Sequence, residues 1–204
     1  MSEQMQLLLG KYSIEEVDKK TYWSVFEKEF YKHDHNYLFI DFDKYLSDNY
    51  TVAERESVYW HIKDENRVIA IFFGRQKSAS EFEMVHSVVH GDYRKQGIYS
   101  ALLERIIKLS KAMGYPMITS IHSPANNPIL IAKMKKGFVL TAMEIDPRYG
   151  INACLTYFHD EAMLNAFKLR CGEVFFDKTM QDYSHGSFDK LCQLISDSKT
   201  NLNK

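Results

Sequence analysis

EFEMVHSVVHGDYRKQGIYSALL, residues 81–103, is the stretch that decides the fold. Its first half is rich in β-branched and aromatic residues and predicts a strand over 81–90. A short basic turn follows, and after it apolar residues recur with the period of a helix that ends at Gly114. The predicted apolar face of that helix is formed by Ile98, Leu102, Leu109 and Met113.

The turn between strand and helix has the chemistry of an anion site. The first N–H groups of a helix have no intrahelical partner, and the helix dipole adds partial positive charge there. Arg94 and Lys95 add two cations, and Gly97 allows a ligand to approach the backbone closely. The turn therefore fits a phosphate or pyrophosphate, although the same short pattern also fits an ordinary helix start with solvated basic residues.

Composition narrows the class of protein. A chain of 204 residues forms one sizeable domain with room for an appendage. The net charge of −1 argues against a general binder of nucleic acid or of membrane surfaces, because no basic excess exists to neutralise phosphates. The N-terminus MSEQMQLLLGKY predicts neither a signal peptide nor a membrane span.

The cysteines predict no metal or disulfide framework. Cys154, Cys171 and Cys192 are far apart and form no CxxC pair. Reduced thiols in a cytoplasmic protein fit this pattern best. His33, Asp34 and His35 resemble a metal cluster, but adjacent residues of a helix point in different directions and no further ligand accompanies them. We therefore expect no metal, and interpret residues 30–46 as a solvated turn or the rim of a substrate pocket.

The rest of the chain predicts a mixed α/β arrangement. A helix is expected over 14–30, with Ser13 and Glu16 as a capping box. A hairpin turn at 64–66 and a second turn at 76–80 separate three antiparallel strands. The other predicted elements are strands at 57–62, 67–74, 116–122, 138–145 and 151–159, a loop at 123–128, a short helix at 129–136 and helical segments at 159–177 and 187–199.

Two segments in this order resemble the GNAT superfamily of acyl-CoA-dependent N-acyltransferases. VVHGDYRKQGIYSALL (88–103) is similar to the family's pyrophosphate motif, and NNPILIAKMKKGF (126–138) resembles its later segment of Asn, short helix and Gly-Phe. The resemblance implies an α/β (α+β) fold with a mixed, mostly antiparallel sheet of about six to seven strands flanked by helices. Splayed central strands would form the CoA cleft. The implied domain covers 1–160 with its core at 55–160, and 161–204 would be a helical extension packed on it.

The resemblance also implies an activity. It is that of an acetyl-CoA-dependent N-acetyltransferase, in which a primary amine of a small molecule or protein attacks the thioester directly. Acetyl-CoA and the amine acceptor are the implied partners, and a homodimer is compatible with the fold. The alternative is a catalytically idle module that binds or senses acyl-CoA.

Cofactor-binding positions are carried over from the resemblance residue by residue. Backbone groups of the central strand would pair with the pantetheine arm, and the turn would hold the pyrophosphate. Tyr99 departs from the motif, because it replaces its second small residue. The implied strand positions are Ser87, Val88 and Val89, the turn positions are Arg94, Lys95, Gln96, Gly97, Ile98, Tyr99 and Ser100, and the later contacts are Asn126 or Asn127.

Glu83 is expected to be the general base. A glutamate at this distance before the turn is similar to the base of some family members. Regular alternation places Glu83 with Ser87 and Val89 on one face of the strand and His86 on the other. The alternative is that Glu83 and Glu81 only form the polar side of a strand end.

The general acid is not assigned. Many relatives carry a tyrosine four residues before the Gly-Phe pair, where this chain has Lys133. A lysine fits that role poorly unless desolvation lowers its pKa, and a solvated lysine or one that pairs with a CoA phosphate fits better. Tyr99, Tyr93 or water are the other candidates for the acid.

Overall fold

The computed structural model describes residues 7–31, 55–146 and 149–172. Within these ranges the helices are α1 (Lys19–Val25, continued by a π-helical turn at Phe26–Phe30), α2 (Ile98–Ala112), α3 (Asn127–Lys135) and α4 (Glu161–Arg170). The strands are β1 (Leu7–Leu8), β2 (Tyr12–Glu16), β3 (Ser57–Asp64), β4 (Arg67–Gln76), β5 (Glu81–Val89), β6 (Met117–His122), β7 (Val139–Asp146) and β8 (Gly150–Phe158).

The described strands form one sheet in the order β1-β2-β3-β4-β5-β6-β8-β7. The pairs from β1 to β5 are antiparallel, as is the pair of β7 with β8, whereas β5 and β6 run parallel. The predicted mixed, mostly antiparallel sheet flanked by helices is confirmed. Its eight strands exceed the expected six to seven because β1 and β2 extend the edge beyond β3.

The N-terminal prediction of a helix from residue 14 is wrong. Residues 12–16 form β2, which pairs with β3 from Ser13 to Glu16, so the predicted capping box does not exist. The free edge of β3 offers these residues a ladder of backbone hydrogen bonds. The helix starts later, where the Asp18 carboxylate accepts a hydrogen bond from the Thr21 amide at 2.9 Å.

The later elements follow the predictions with small shifts. The hairpin turn between β3 and β4 is confirmed, with Glu65 at φ 53°. α3 begins at Asn127 rather than at 129, because Pro128 is tolerated in the first helical turn, so the predicted loop ends at Asn126. The helix predicted at 159–177 is observed as α4, whereas residues 30–46 and 187–199 lie wholly or mostly outside the described residues.

A β-bulge interrupts β5 at Val85. Phe73 of β4 pairs with His86, but the next residue, Gly74, pairs with Met84, which leaves Val85 as an extra residue. The alternation of side chains between the two faces of the sheet is therefore shifted by one residue at this point of β5.

Apolar clusters cover both faces of the sheet. On one face α2 packs against Phe72, Phe82 and Met84, and on the other α1 packs against Phe73 and Val88. The α2 prediction is corrected in detail, since Leu109 and Met113 are only partly buried. The fully buried face of α2 consists of Ile98, Leu102, Leu103, Ile106 and Ser110.

The chain divides into two compact units, residues 1–157 and 158–204. The candidate site residues described below all lie in the first unit. In the second unit, Phe158 stacks on Phe167 of α4, with ring centroids 5.7 Å apart. The boundary after residue 160 and the packing of the extension on the domain stay predictions.

Candidate active site

The central feature of the site is a fork between β5 and β6. The two strands pair at three positions, after which the edge of β5 that faces away from β4 is not paired with β6. An open strand edge presents backbone N–H and C=O groups to any extended ligand. The three pairs at the closed end of the fork are Glu81 with Met117, Phe82 with Ile118 and Glu83 with Thr119.

Backbone alternation decides which groups line the fork. The His90 amide donates to the Ile69 carbonyl of β4 at 2.9 Å, so residue 90 faces β4. In an antiparallel ladder successive residues face opposite strands, which turns Val88 toward β4 and turns Ser87 and Val89 toward the fork. The expected pairing of Val88 with pantetheine therefore does not fit this geometry, whereas Ser87 and Val89 have the required orientation. Arg94 already occupies part of this edge, since its Nε donates to the Val89 carbonyl at 3.2 Å.

The turn after β5 has the backbone shape of an anion cradle. Lys95 and Gly97 both have positive φ, at 62° and 80°, and Gly97 is the N-cap of α2. The first intrahelical bond runs from the Ala101 amide to the Gly97 carbonyl, so the amides of residues 98–100 have no helical acceptor. Residues 94–97 are exposed. Consecutive outward amides beside two cations are suited to phosphate oxygens.

Gln96 has a structural partner as well as a place in the turn. Its side-chain amide donates to the Asp92 carbonyl at 3.2 Å and its oxygen accepts from the Tyr12 hydroxyl at 3.4 Å. These bonds tie the turn to β2. The Gln96 side chain therefore holds the turn in place, and the backbone amides around it are the groups that could bind an anion.

Glu83 is buried, at 8% exposure, and belongs to the last pair of the fork. Its Oε2 accepts from Arg75 Nε at 2.8 Å. The expected face was wrong, because the bulge at Val85 places Glu83 with His86 and Val88, and not with Ser87 and Val89. Glu83 thus lies on the α1 face of the sheet, whereas Met84 lies on the α2 face.

His86 is a functional candidate that sequence reasoning missed. Its Nδ1 lies 2.8 Å from the buried Tyr22 hydroxyl, and its ring stacks on Trp23 and meets Phe26 edge-on. Regular alternation had assigned it to the other face. The one available signal was the adjacent apolar pair Met84-Val85, which breaks a strict period of two.

Lys133 lies on the α2 face and is fully buried. Its Nζ is 3.5 Å from Met84 Sδ and 5.0 Å from the centroid of the Phe138 ring. The expectation of a solvated lysine is wrong, and a side chain in this place is a poor partner for a CoA phosphate. Desolvation lowers the pKa of Lys133 well below its usual value, because burial disfavours the charged ammonium.

The two tyrosines that are candidates for the general acid, Tyr93 and Tyr99, both fit that role poorly. The Tyr93 hydroxyl donates to Asp64 at 3.1 Å, and its pKa is raised by burial and by this bond. Burial also raises the pKa of Tyr99, which makes it a poorer proton donor.

On α3, Asn126 is the N-cap but makes no side-chain capping bond, and Asn127 is exposed, so the side-chain amides of both residues are available to a ligand.

The described residues contain neither a metal cluster nor a membrane-spanning helix. Within residues 7–31, 55–146 and 149–172, no group of three or more His, Cys, Asp or Glu side chains is arranged to hold a metal ion. His33, Asp34 and His35 fall outside those ranges. No helix among the described residues has the length and apolarity needed to cross a membrane.

Comparison with solved structures supports the fold. A GNAT family acetyltransferase from Elizabethkingia anophelis with acetyl-CoA bound is 15% identical, with a TM-score of 0.55, over 72% of this chain and 98% of that one. The ribosomal-protein-S18-alanine N-acetyltransferase from Escherichia coli is 16% identical, with a TM-score of 0.57, over 72% and 93%. Spermidine N-acetyltransferase from Vibrio cholerae, in complex with CoA and spermine, is 11% identical, with a TM-score of 0.55, over 72% and 95%.

Sequence comparison identifies the family. No curated protein matches the chain significantly. The sequence model of the acetyltransferase (GNAT) family matches residues 18–138, more than half of the chain and the part that contains the fork, the anion turn and α3. These residues place the chain in the GNAT acetyltransferase family, as an enzyme that uses acetyl-CoA.

Proposed function

We propose that this chain transfers the acetyl group of acetyl-CoA to a primary amine of a small molecule or protein, by direct attack of the amine on the thioester. The observation that carries the proposal is the fork, which has an open β5 edge, the anion turn at one end and a buried carboxylate at the other.

The residues present fit the CoA portion. Ser87 and Val89 present backbone groups for an extended pantetheine arm, and the amides of residues 95–100 with Arg94 would hold the pyrophosphate. Arg94 would then exchange its bond to the Val89 carbonyl for a phosphate. Asn126 or Asn127 would contact the pantetheine or adenosine portion. Acetyl-CoA itself supplies an activated acetyl group on a thiol that leaves readily.

The amine must lose a proton to become a nucleophile. Glu83 and His86 share the face on which α1 packs, and each is a candidate to accept that proton. Tyr22 holds the His86 ring by its bond to Nδ1, and Arg75 holds the Glu83 carboxylate. We propose Glu83 as the base because it belongs to the last pair of the fork, where the open edge begins, with His86 as the competing residue.

The nature of the acceptor is supported only in general terms. Two of the similar structures carry names of N-acetyltransferases, one for an alanine of ribosomal protein S18 and one for spermidine. At 11–16% identity these names do not transfer to this chain. A primary amine is the class that they share with the proposal.

A panel of amines tests the proposal. Amino acids, polyamines, aminoglycosides and peptides with free amino termini are incubated with acetyl-CoA, and released thiol is measured. We expect thiol release above the acceptor-free rate for at least one class. Lys133, at the position where many relatives carry a tyrosine, favours the alternative of an idle acyl-CoA-binding module. Tight acetyl-CoA binding without turnover on any amine would support that alternative.

A further inference from the structure

Lys133 is chemically unusual among the lysines of the described chain. It is fully buried, and its Nζ contacts Met84 Sδ and the Phe138 ring. Among the described residues no carboxylate pairs with it. The titratable group that faces it from β6 is His122, which is itself largely buried and whose pKa is lowered to about 3, so it stays neutral near pH 7. Burial lowers the pKa of Lys133, and a lysine amine whose pKa is lowered by desolvation is more readily a nucleophile than a solvated one.

The position of this amine follows from the fork. The last pair between β5 and β6 is Glu83 with Thr119, so Met84 is the first residue of β5 beyond it. Lys133 reaches from α3 to Met84 and so lies at the closed end. From Val89 to Met84 the strand runs about 13 Å, which is four steps at the usual rise per residue because Val85 is the extra residue of the bulge. An arm that leaves the anion turn and pairs with Val89 and Ser87 points its acyl end toward Met84.

We infer that Lys133 is an internal acceptor, which bound acetyl-CoA acetylates at Nζ. The amine nitrogen forms a bond to the acetyl carbon, the bond from that carbon to sulfur breaks, and the amine proton passes to the departing thiolate. The products are Nζ-acetyl-lysine and CoA thiol. The inference rests on the CoA placement of the proposed function.

The same helix end provides internal controls. Lys135 is exposed, and Lys136, just past the helix, forms an ion pair with Glu104 at the surface. Both side chains are more exposed than that of Lys133. Acetylation that depended only on accessibility would favour these two lysines. Acetylation directed by the fork favours Lys133.

Peptide mapping after incubation of the full chain with acetyl-CoA tests the inference. We expect one acetyl group per chain, on Lys133, that resists hydroxylamine as an amide does. At each pH between 7 and 9, Lys133 should carry the label in preference to Lys135 and Lys136. The variant Lys133→Met, which keeps a similar volume, should lose the label.

Calorimetry of acetyl-CoA binding separates the two possible failures. Acetyl-CoA that binds but leaves Lys133 unmodified overturns this inference and leaves the proposed function standing. Equal labelling of Lys133, Lys135 and Lys136 overturns it as well, since it would reflect chemical acetylation alone. An absence of binding overturns both. Because the mapping is done on the unaltered chain, the inference is testable even if Lys133→Met does not fold.

Discussion

Glu83 and His86 bring a carboxylate and an imidazole to the same face of β5. The carboxylate is held by an ion pair with Arg75, whose side chain is 38% exposed, so solvent weakens this pair. The imidazole is held by a hydroxyl that is fully buried. Both groups are positioned by side chains of other elements, which is the arrangement that a proton acceptor requires. The two residues therefore compete for one role.

The variant Glu83→Gln distinguishes them. Since a general base contributes roughly a hundredfold or more, we expect kcat/KM to fall by about that factor while the Kd for acetyl-CoA changes less than about twofold. Steady-state kinetics and calorimetry measure the two quantities. Glu81→Gln is the matched control, because Glu81 lies two residues earlier and pairs with Lys77. If His86→Gln shows the fall and Glu83→Gln does not, the base is His86.

The burial of Lys133 predicts how the free energy of unfolding depends on pH. Its folded pKa lies below the usual 10.5, so between the two values the unfolded chain binds a proton that the folded chain does not. Above pH 10.5 the buried Lys133 does not reduce the free energy of unfolding. As the pH falls from 10.5 toward the folded pKa, the free energy of unfolding decreases. His122, which faces Lys133, has a pKa lowered to about 3 and so does not contribute to this pH dependence between pH 7 and 10.5.

Lys133→Met removes this titration. The free energy of unfolding of the variant should exceed that of the parent increasingly as the pH falls from about 10 toward 7, by at most about 1.4 kcal/mol per pH unit. Urea denaturation at several pH values measures the difference. Parallel curves for the two proteins would show that the folded and unfolded pKa values of Lys133 are alike.

At the scale of elements, both ends of α2 use a glycine in the left-handed region. Gly97 precedes the helix at φ 80° and Gly114 follows it at φ 84°, and a Cβ on either would meet no atom within 4 Å. Both positions therefore share the same backbone strain on substitution, about 1–2 kcal/mol for a residue other than glycine. They differ in that only Gly97 belongs to the anion turn.

This pair of glycines gives a matched experiment. Gly97→Ala and Gly114→Ala should each lower the free energy of unfolding by about 1–2 kcal/mol, measured by urea denaturation. Only Gly97→Ala should weaken acetyl-CoA binding, by roughly tenfold, because strain at the N-cap disturbs the amides that follow it. Equal affinities of the two variants would remove the turn from the binding site.

Sequence patterns predicted the elements that depend on local signals. The turn of residues 64–66, the glycine after α2 and the order of strands and helices from β3 onward were all readable, because turn residues and periodicity act locally. The N-terminal strand β2 was not, since its pairing depends on the edge of β3. The face of His86 was also hidden, because a bulge is decided by the pairing of two strands rather than by one strand.

At the scale of the whole molecule, the family membership explains the first unit and leaves the rest of the chain open. The match ends at residue 138, and the second compact unit begins at 158. We keep residues 161–204 as a helical extension, and a homodimer, as proposals. Cys154 and Cys171 form no disulfide among the described residues, and the cytoplasmic location stays a prediction.

The bulge at Val85 also bears on which mutations β5 tolerates. A strand without this residue would alternate regularly and would keep Met84 and His86 on the faces they occupy now. In that comparison the extra residue leaves these two faces unchanged and adds bend and twist, two residues past the last pair with β6. Val85 is 40% exposed, so its chemical identity matters little. We expect the opening of the fork to depend on this extra residue, so position 85 should accept many substitutions but not a deletion.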